Sequence, residues 1–347
     1  MSTYRLPPYV LKEIDIKTLS QSPDWSIGEY LIPEQWKDAD GSGVKVAVLD
    51  TGVQRDHPDL VDKIAETKDF TDSRYGIEDR FDHGTWCAGM IAAENNEIGT
   101  VGVAPGAELY IAKIIGDSGG GEGSNFIKAI DWATEQECQI LSVSLGSFLD
   151  DQQVHDAIRR FCFRTDCFVI SAAGNEGGMS DNSINYPAKW EESIAVGAVD
   201  RYGQRTHYSS KGPELDVMAP GDEMLSTITG NTYGLMSGTS MATPFVAGVI
   251  ALALSKGISF GHWEDLREVI RDVSTDIDSP GRDSNTGWGL LNPTGILESG
   301  NRPDLPDVPD APALPIEGQY TFNIGDAVVS FPVVHQKRRG IHIGIKE

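Results

Sequence analysis

The sequence is poor in cysteine and in basic residues, and each shortage restricts what the protein can be. It has 347 residues and four cysteines, with no zinc-finger or Cys-x-x-Cys spacing. Such cysteines are expected to be free thiols in a reducing compartment. Lysine and arginine total 28 against 52 aspartates and glutamates, a formal net charge of −24. Because this surface repels phosphate backbones, we expect no nucleic-acid partner, whereas its carboxylates suit hard cations.

Long apolar runs are also missing. Residues 1–10 lack the unbroken apolar core of about 7–15 residues that a signal peptide needs, and no run approaches the roughly 18–20 residues needed to span a bilayer. We therefore expect a cytoplasmic protein with no membrane partner. The length suits one large domain with a sizeable core and short appendages.

The pattern that is present is an alternation of strands and helices. Residues 44–49 are apolar except for Lys45 and include three valines, which is typical of a strand buried on both faces. Further strands are predicted at 109–115, 139–144, 167–171 and 193–199, and helices at 84–94, 125–137, 151–164 and 241–256. This alternation predicts an α/β fold with a mostly parallel central sheet and helices on both faces.

Composition divides the chain into four regions. We expect an N-terminal extension over residues 1–18 and a main domain over 19–300. Residues 301–318 are rich in proline and aspartate, with proline at every third position from 303 to 315, which predicts an extended linker. The tail, 319–347, predicts strands at 320–324, 327–334 and 340–345. It is too short to fold alone, so it docks on this domain or on a partner, and a homodimer through the tail is one possibility.

Three short segments supply an acid, a base and a nucleophile. Asp50 ends the strand 44–49, while His83, in Asp-His-Gly-Thr, and Ser240, in Gly-Thr-Ser-Met-Ala, stand where helices begin. A serine hydroxyl attacks well only if an imidazole takes its proton, and a buried carboxylate must orient that imidazole. Alone, each segment could be a strand-ending turn, a core histidine or a helix N-cap.

The order Asp, His, Ser over residues 44–292 resembles the subtilisin-like serine proteases. The resemblance implies the subtilisin-like three-layer fold and a serine endopeptidase in which Asp50, His83 and Ser240 form the catalytic triad. A fourth segment, Ala-Ala-Gly-Asn-Glu-Gly, follows the strand 167–171. It resembles the family segment in which Asn175 and the Ser240 backbone N–H bind the oxyanion. A plain Ala-Gly-Asn turn is the structural alternative.

The resemblance also places the substrate groove. A peptide substrate is expected to add as a strand between two backbone segments, with a pocket for the residue before the cleaved bond. Asn185 is expected to narrow or polarise that pocket, so that large aromatic side chains are accepted poorly. The predicted groove and pocket residues are Gly119, Gly120, Gly121, Ser144, Leu145, Gly146, Ala172, Ala173, Gly174, Asn185, Tyr186 and Pro187.

A structural Ca²⁺ site is implied in the same way. In this family an early aspartate and the loop after the histidine helix share the ion, and Asp59 and Asn96 match. The backbone carbonyls of Glu94, Ile98 and Thr100 would complete the oxygen shell. The ligand from the N-terminal segment is not identified by the sequence, and a solvated acidic turn is the alternative.

Two positions depart from the family pattern, since Trp86 and Phe245 stand where histidines are usual. We expect the two rings to contact each other. The departures leave open a catalytically silent peptide-binding protein, and a narrow processing protease for one precursor is a further alternative. Protein or peptide substrates are the expected partners in each case.

The N-terminus points to regulation. Leu6-Pro7-Pro8-Tyr9 resembles the Leu-Ile-Pro-Tyr or Leu-Ile-Pro-Phe motif in the short prosegment of intracellular subtilisins. An extended segment with two prolines loses little entropy on binding in a groove, and proline restricts the neighbouring peptide bonds. We expect the segment to inhibit without being cut there and to be removed by cleavage between residues 17 and 27.

Overall fold

The structure is a computed structural model that describes residues 2–14, 21–301, 319–324 and 327–332, with side chains described over 2–12 and 21–300. The chain divides into two compact units, Met1–Gly300 and Asn301–Glu347. In the second unit Gln319–Ile324 pairs antiparallel with Ala327–Pro332, so two of the predicted tail strands form a hairpin. The predicted linker and the predicted strand 340–345 lie outside the described residues.

The strands are β1 (Thr3–Arg5), β2 (Val10–Ile14), β3 (Lys45–Asp50), β4 (Ile64–Asp69), β5 (Glu108–Lys113), β6 (Gly120–Glu122), β7 (Ile140–Val143), β8 (Phe168–Ala172), β9 (Ser193–Val199), β10 (Val217–Pro220), β11 (Met224–Ile228), β12 (Thr232–Ser237), β13 (Gln319–Ile324) and β14 (Ala327–Pro332). The helices are α1 (Trp25–Glu29), α2 (Ile32–Gln35), α3 (His83–Ala92), α4 (Gly123–Glu135), α5 (Gln152–Cys162), α6 (Thr239–Ser255), α7 (Trp263–Val273) and α8 (Pro293–Glu298), with a 3₁₀ turn over Ser299–Asn301.

A seven-stranded sheet forms the centre of the first unit. Its strand order is β10-β9-β8-β7-β3-β5-β4, and every neighbouring pair is parallel. Strands β4 and β5 lie on one side of β3 and β7 to β10 on the other, so the carboxyl end of β3 is a topological switch point. Open α/β sheets place their ligand sites at such points.

Helices cover both faces of this sheet, because successive side chains of a buried strand point to opposite sides. Val46 and Val48 of β3 pack into one buried cluster with residues of α3 and α6, whereas Ala47 and Leu49 pack into another with residues of α4 and α5. Helix α6 is buried over nearly its whole length and is apolar all round, as a central helix must be. The predicted α/β class is confirmed.

Most predicted elements agree with the structure to within two residues. The main difference matters for chemistry: His83 is the first residue of α3 and Ser240 the second of α6, rather than residues preceding those helices. Both therefore lie in a first turn, where backbone N–H groups are unpaired.

Two small sheets were not predicted. Strand β1 pairs antiparallel with β6, and β2 pairs antiparallel with β12 of the β11–β12 hairpin. Both sheets are completed by the N-terminal segment, which the sequence marks only as extended.

The four cysteines are buried free thiols, as expected. Within the described part of the chain, none of the helices combines the length and apolar character needed to cross a membrane.

Candidate active site

A buried carboxylate–imidazole pair lies at the switch point. Asp50 ends β3, and its Oδ1 accepts hydrogen bonds from His83 Nδ1 at 2.8 Å and from the backbone N–H of Thr51 at 2.7 Å. Both residues are fully buried. This contact fixes the ring, so that Nε2 is the nitrogen left available for proton transfer.

A second carboxylate, Asp79, holds the segments that carry the pair. Its oxygens accept from Thr51 Oγ1 at 2.7 Å and from the backbone N–H and the hydroxyl of Thr85 at 2.8 and 2.7 Å. Thr51 Oγ1 in turn accepts from the Gly84 N–H at 2.9 Å. Asp79 thereby connects the end of β3 to the start of α3, although no motif in the sequence singles it out.

Glycines allow these segments to approach. Gly52 has φ +108°, a conformation that favours glycine. A Cβ on Gly84 would lie 2.2 Å from the carbonyl oxygen of Gly52, so no larger residue fits there. The Asp-Thr-Gly and His-Gly-Thr segments therefore pack directly against each other, and the glycines make this close approach possible.

The electrostatics of the pair favour a charged imidazole. Burial alone would lower the pKa of His83, but the negative charge and the hydrogen bond of Asp50 outweigh it and raise that pKa well above 6.5. A proton arriving at this ring is therefore stabilised where it is needed.

Ser240 lies across the groove beside Ser144. Ser240 Oγ donates to the Ser144 carbonyl at 3.2 Å, and Ser144 Oγ donates to the Ser240 carbonyl at 2.9 Å. Among the described residues His83 Nε2 has no hydrogen-bond partner. The hydroxyl and the imidazole are thus not joined in this state.

Asn175 is held with its amide nitrogen free to donate. Its Oδ1 accepts from the backbone N–H of Thr239 at 2.9 Å and from the Thr239 hydroxyl at 3.0 Å. Its Nδ2 donates to the backbone carbonyl of Pro8 at 2.7 Å. The predicted oxyanion donor therefore already binds a peptide carbonyl, one from the N-terminal segment.

The N-terminal segment lies where a substrate strand was predicted. Tyr4 pairs with Gly121 in the β1–β6 ladder, and Arg5 exchanges two backbone hydrogen bonds of 3.0 and 2.9 Å with Gly146. Of the predicted groove residues at 119–121, Gly119 lies in the turn before β6. The β1–β6 ladder runs over Gly120–Glu122. Two antiparallel neighbours thus hold the segment by its backbone.

Side chains of the segment fill the groove. Tyr4 is 1 % exposed and packs edge-on against Phe126 with ring centroids 5.0 Å apart, and Pro7 is buried. The Tyr9 hydroxyl donates to the Phe81 carbonyl at 2.8 Å, and its ring centroid lies 5.0 Å from that of His83. Tyr9 therefore covers the imidazole.

The predicted pocket residues converge beside Asn185. A Cβ on Gly146 would lie 2.8 Å from Asn185 Cβ, and one on Gly174 would lie 2.4 Å from Asn185 Nδ2. That Nδ2 donates to Glu176 Oε2 at 2.9 Å, while Asn185 Oδ1 is buried without a partner among the described residues. The remaining predicted pocket residues lie at strand ends nearby: Ser144 and Leu145 follow β7, Ala172 ends β8 and precedes Ala173, and Tyr186 bridges to Ser147 before Pro187.

The predicted calcium ligands form a local network around Asp59. Its carboxylate is fully buried and accepts from Asn96 Nδ2 and from the Thr100 N–H, both at 3.1 Å. Asn96 Oδ1 accepts from the Ile98 N–H at 3.1 Å. No basic side chain of the described residues forms an ion pair with Asp59, although a buried carboxylate needs compensating charge.

Gln21 is the N-terminal neighbour that the sequence did not identify. Its side-chain nitrogen Nε2 donates to the Glu94 carbonyl at 2.8 Å and to the Thr100 carbonyl at 3.1 Å. No pattern in the sequence identifies Gln21 as a neighbour of this loop, because the two come together only in the folded chain.

Cys87 also lies beside the pair. Its sulfur is 3.9 Å from His83 Nδ1, and the ligand-type atoms of Asp50, His83 and Cys87 all lie within 4.8 Å of one another. His83 Nδ1 is already engaged by Asp50, however, and burial raises the pKa of the thiol, which favours its neutral form. A neutral thiol is a poor metal ligand.

The expected contact between Trp86 and Phe245 is replaced by two separate ones. The Trp86 indole N–H donates to the Gly234 carbonyl at 2.9 Å, and the ring packed edge-on against Phe245 is that of Tyr30, 5.6 Å away. Neither residue borders Asp50 or Ser240 in the chain, and each is fully buried. Both substitutions are thus absorbed by local packing.

Comparison with known proteins agrees with this geometry. Residues 41–289 match the subtilase family. The chain is 39 % identical to M-protease of Shouchella clausii over 82 % of this chain and 72 % of that protein. It is 43 % identical to an intracellular serine protease of Paenibacillus polymyxa over 68 % of this chain and 74 % of that protein. It is 41 % identical to subtilisin E of Bacillus subtilis over 73 % of this chain and 65 % of that protein.

The chain therefore belongs to the subtilase family of proteases. It is a serine endopeptidase of the subtilisin type, and proteins are its substrates.

Replacing Asp50 by asparagine tests the electrostatic role of the pair. We expect the pKa of His83 to fall, because the ring loses its countercharge, and turnover to drop about 10⁴-fold. A raised histidine pKa stabilises the fold below about pH 6.5, and that stabilisation is lost as the pH rises through the raised value. The variant should therefore lose more unfolding free energy near neutral pH than in alkali.

The measurements are ring titration by NMR and urea unfolding across pH. Asp131→Asn, an exposed carboxylate, is the control. An unchanged His83 pKa in the Asp50 variant would contradict this interpretation.

Proposed function

We propose that the protein hydrolyses peptide bonds with Asp50, His83 and Ser240 as its catalytic triad, and that its own N-terminal segment holds it inactive until it is removed. The observation that carries the proposal is the Pro8 carbonyl on Asn175 Nδ2 at 2.7 Å, within a segment paired on both sides as a substrate strand would be. The similarity to an intracellular serine protease supports the same reading.

The proposed reaction proceeds through an acyl-enzyme. Ser240 Oγ attacks the scissile carbonyl carbon as His83 Nε2 takes the hydroxyl proton, and Asp50 stabilises the imidazolium. The carbonyl oxygen, now negative, accepts from Asn175 Nδ2 and from the Ser240 N–H. His83 then gives its proton to the leaving amine as the C–N bond breaks. Water repeats the sequence and frees the carboxylate product.

The inhibited state follows from what the hydroxyl and the imidazole contact. Ser240 Oγ donates to Ser144 instead of to His83, and Tyr9 covers the ring, so the nucleophile has no base. The segment around Pro8 also carries two prolines, whose fixed φ limits the approach of the carbonyl to the hydroxyl. The segment therefore binds the site without being cut.

Activation would remove the segment on the N-terminal side of Gln21. Cleavage there falls within the predicted window of residues 17–27 and leaves the contacts of Gln21 with Glu94 and Thr100 intact. The extension 1–18 thus acts as a prosegment of the domain 19–300.

Deleting residues 1–18 should raise turnover of a peptide substrate and labelling of Ser240 by a fluorophosphonate, because both need an accessible, base-activated hydroxyl. Ser240→Ala in the same truncated chain is the control and should neither turn over nor label. A synthetic peptide of residues 2–14 should restore inhibition.

Other outcomes decide between the alternatives. A truncated chain that folds but neither labels nor turns over would favour a silent peptide-binding protein. Labelling with turnover of a single precursor, and of no general peptide, would favour a narrow processing protease. If the truncated enzyme turns over substrate no faster than the full chain and the peptide does not inhibit it, residues 1–18 are not a prosegment.

We also propose a structural Ca²⁺ held by Asp59, Asn96 and the carbonyls of Glu94, Ile98 and Thr100, with Gln21 as a further donor once its side-chain amide is turned so that Oε1 takes the place of Nε2. An all-oxygen donor set around a buried carboxylate without a cationic partner fits a hard cation. The ion would supply the missing positive charge and tie the N-terminal part of the domain to the loop after α3.

Chelation should then lower the melting temperature of the full chain by roughly 5 °C, and calcium should restore it. Asp59→Asn should remove the response, whereas the exposed Asp62→Asn should retain it. If chelator does not change the melting temperature of the parent chain, the proposed Ca²⁺ site is wrong.

The pocket beside Asn185 is proposed to prefer small or polar side chains. Asn185 occupies the space between Gly146 and Gly174, and its buried Oδ1 offers an acceptor. A phenyl ring would meet a narrowed and polar floor, and burial of an unpaired polar atom beside it would cost affinity.

In the enzyme freed of its segment, Asn185→Gly should raise kcat/KM for phenylalanine before the cleaved bond by about tenfold or more, since it opens the floor. The exposed Asn182→Ala should leave the preference unchanged. A parent enzyme that already prefers phenylalanine would refute the narrowed pocket.

Two expectations extend this function. The protein acts in the cytoplasm, which its similarity to an intracellular serine protease supports, and the tail 319–347 contributes to a homodimer. Sedimentation of the full chain, with and without the tail, measures the second.

A further inference from the structure

The N-terminal segment continues past the catalytic groove as a strand. Beyond Tyr9, β2 pairs antiparallel with β12 in five residue pairs, from Val10 opposite Ser237 to Ile14 opposite Tyr233. Relative to the Pro8 carbonyl held by Asn175, these residues follow the peptide bond on its leaving-group side. The edge of β12 is therefore a docking strand that runs directly on from the catalytic centre.

Gly234 leaves space on this strand for one side chain of the segment. A Cβ on Gly234 would lie 2.7 Å from Leu11 Cδ1 and 3.2 Å from two carbons of Ile228. The glycine is not required by the backbone, because its φ lies outside the left-handed range. A glycine at position 234 is thus explained by the space that it leaves for the Leu11 side chain.

The exposure of neighbouring residues agrees with a one-sided seat. Val10, which faces away, keeps 70 % of its surface exposed, whereas Leu11 keeps 37 %. Leu11 lies opposite Met236 in the ladder, and Met236 is fully buried. The floor is also rigid, since the Gly234 carbonyl accepts from Trp86 Nε1 at 2.9 Å.

We propose that Gly234 and Ile228 form the floor and wall of a subsite for a large apolar side chain three residues beyond the cleaved bond, and that extended protein substrates bind it by adding a strand to β12. The inference rests on the proposed function, because the N-terminal segment is taken to follow the substrate's path. Tyr9 is the first residue beyond the bond, and Leu11 is the third.

The subsite gives the enzyme a preference that short substrates do not reveal. Main-chain hydrogen bonds along β12 accept any extended sequence, while the seat at Gly234 selects one position. Burying about half of a leucine side chain corresponds to roughly fivefold in affinity. A peptide that ends just past the cleaved bond gains none of this.

A double-mutant cycle in the full chain tests whether Leu11 and Gly234 form one contact. Leu11→Ala and Gly234→Ala should each raise the residual turnover of the full chain about fivefold, because each loosens the segment. Combined, they should raise it no further than the larger single effect. Gly28→Ala, at a glycine with open space outside the segment, is the control and should have no effect.

A binding measurement tests the subsite without relying on turnover. The chain lacking residues 1–18 and carrying Ser240→Ala is titrated with alanine-rich peptides of equal length and charge. Each contains one leucine, placed at the second, third, fourth or fifth leaving-group position. The third-position peptide should bind about fivefold more tightly than the others, and Gly234→Ala should remove this difference.

Failures of the two proposals are distinguishable. Additive effects in the cycle, or equal affinity for all four peptides, would overturn the subsite even if the enzyme is active. Absence of turnover in every Ser240-containing variant, together with a selective third-position peptide, would overturn the proposed catalysis and leave the subsite standing.

Discussion

The contact between Asp50 and His83 is the constraint to which the rest of this site is fitted. Two ionisable groups are removed from water, and such burial is favourable only when geometry and surrounding dipoles are fixed. Asp79 and Thr51 supply the fixed surroundings, and the absent side chains of Gly52 and Gly84 permit the approach. The central sheet provides the support, because β3 is hydrogen-bonded on both sides and buried on both faces.

Around this pair, recognition is built largely from backbone. Arg5 is held by the main chain of Gly146, β1 by β6, and β2 by β12. Such pairing does not depend on sequence, so the sequence-specific contacts of the N-terminal segment are its buried or partly buried side chains: Tyr4 against Phe126, Pro7, and Leu11 over Gly234.

The sequence was sufficient where chemistry and structure are both local. Asp50, His83, Ser240 and Asn175 lie in short segments at element ends, and apolar runs marked the strands that carry them. It was insufficient where a residue acts through a distant partner. Asp79, Gln21 and Gly234 gain their roles from contacts across tens of residues, and Phe245 packs on Tyr30 rather than on Trp86 for the same reason. Hydrophobic periodicity carries no record of such pairings.

The covalent tether of the N-terminal segment has a consequence of its own. If the segment inhibits as proposed, its covalent connection to the domain through the short stretch between Ile14 and Gln21 would let it compete with substrate at an effective concentration of about millimolar or more. Free peptides well below that concentration would not open the groove by competition alone. Once the tether is cut, the same segment is diluted to the concentration of the protein itself. On this proposal the chain would behave as a one-way switch, controlled by cleavage of the segment and not by substrate concentration.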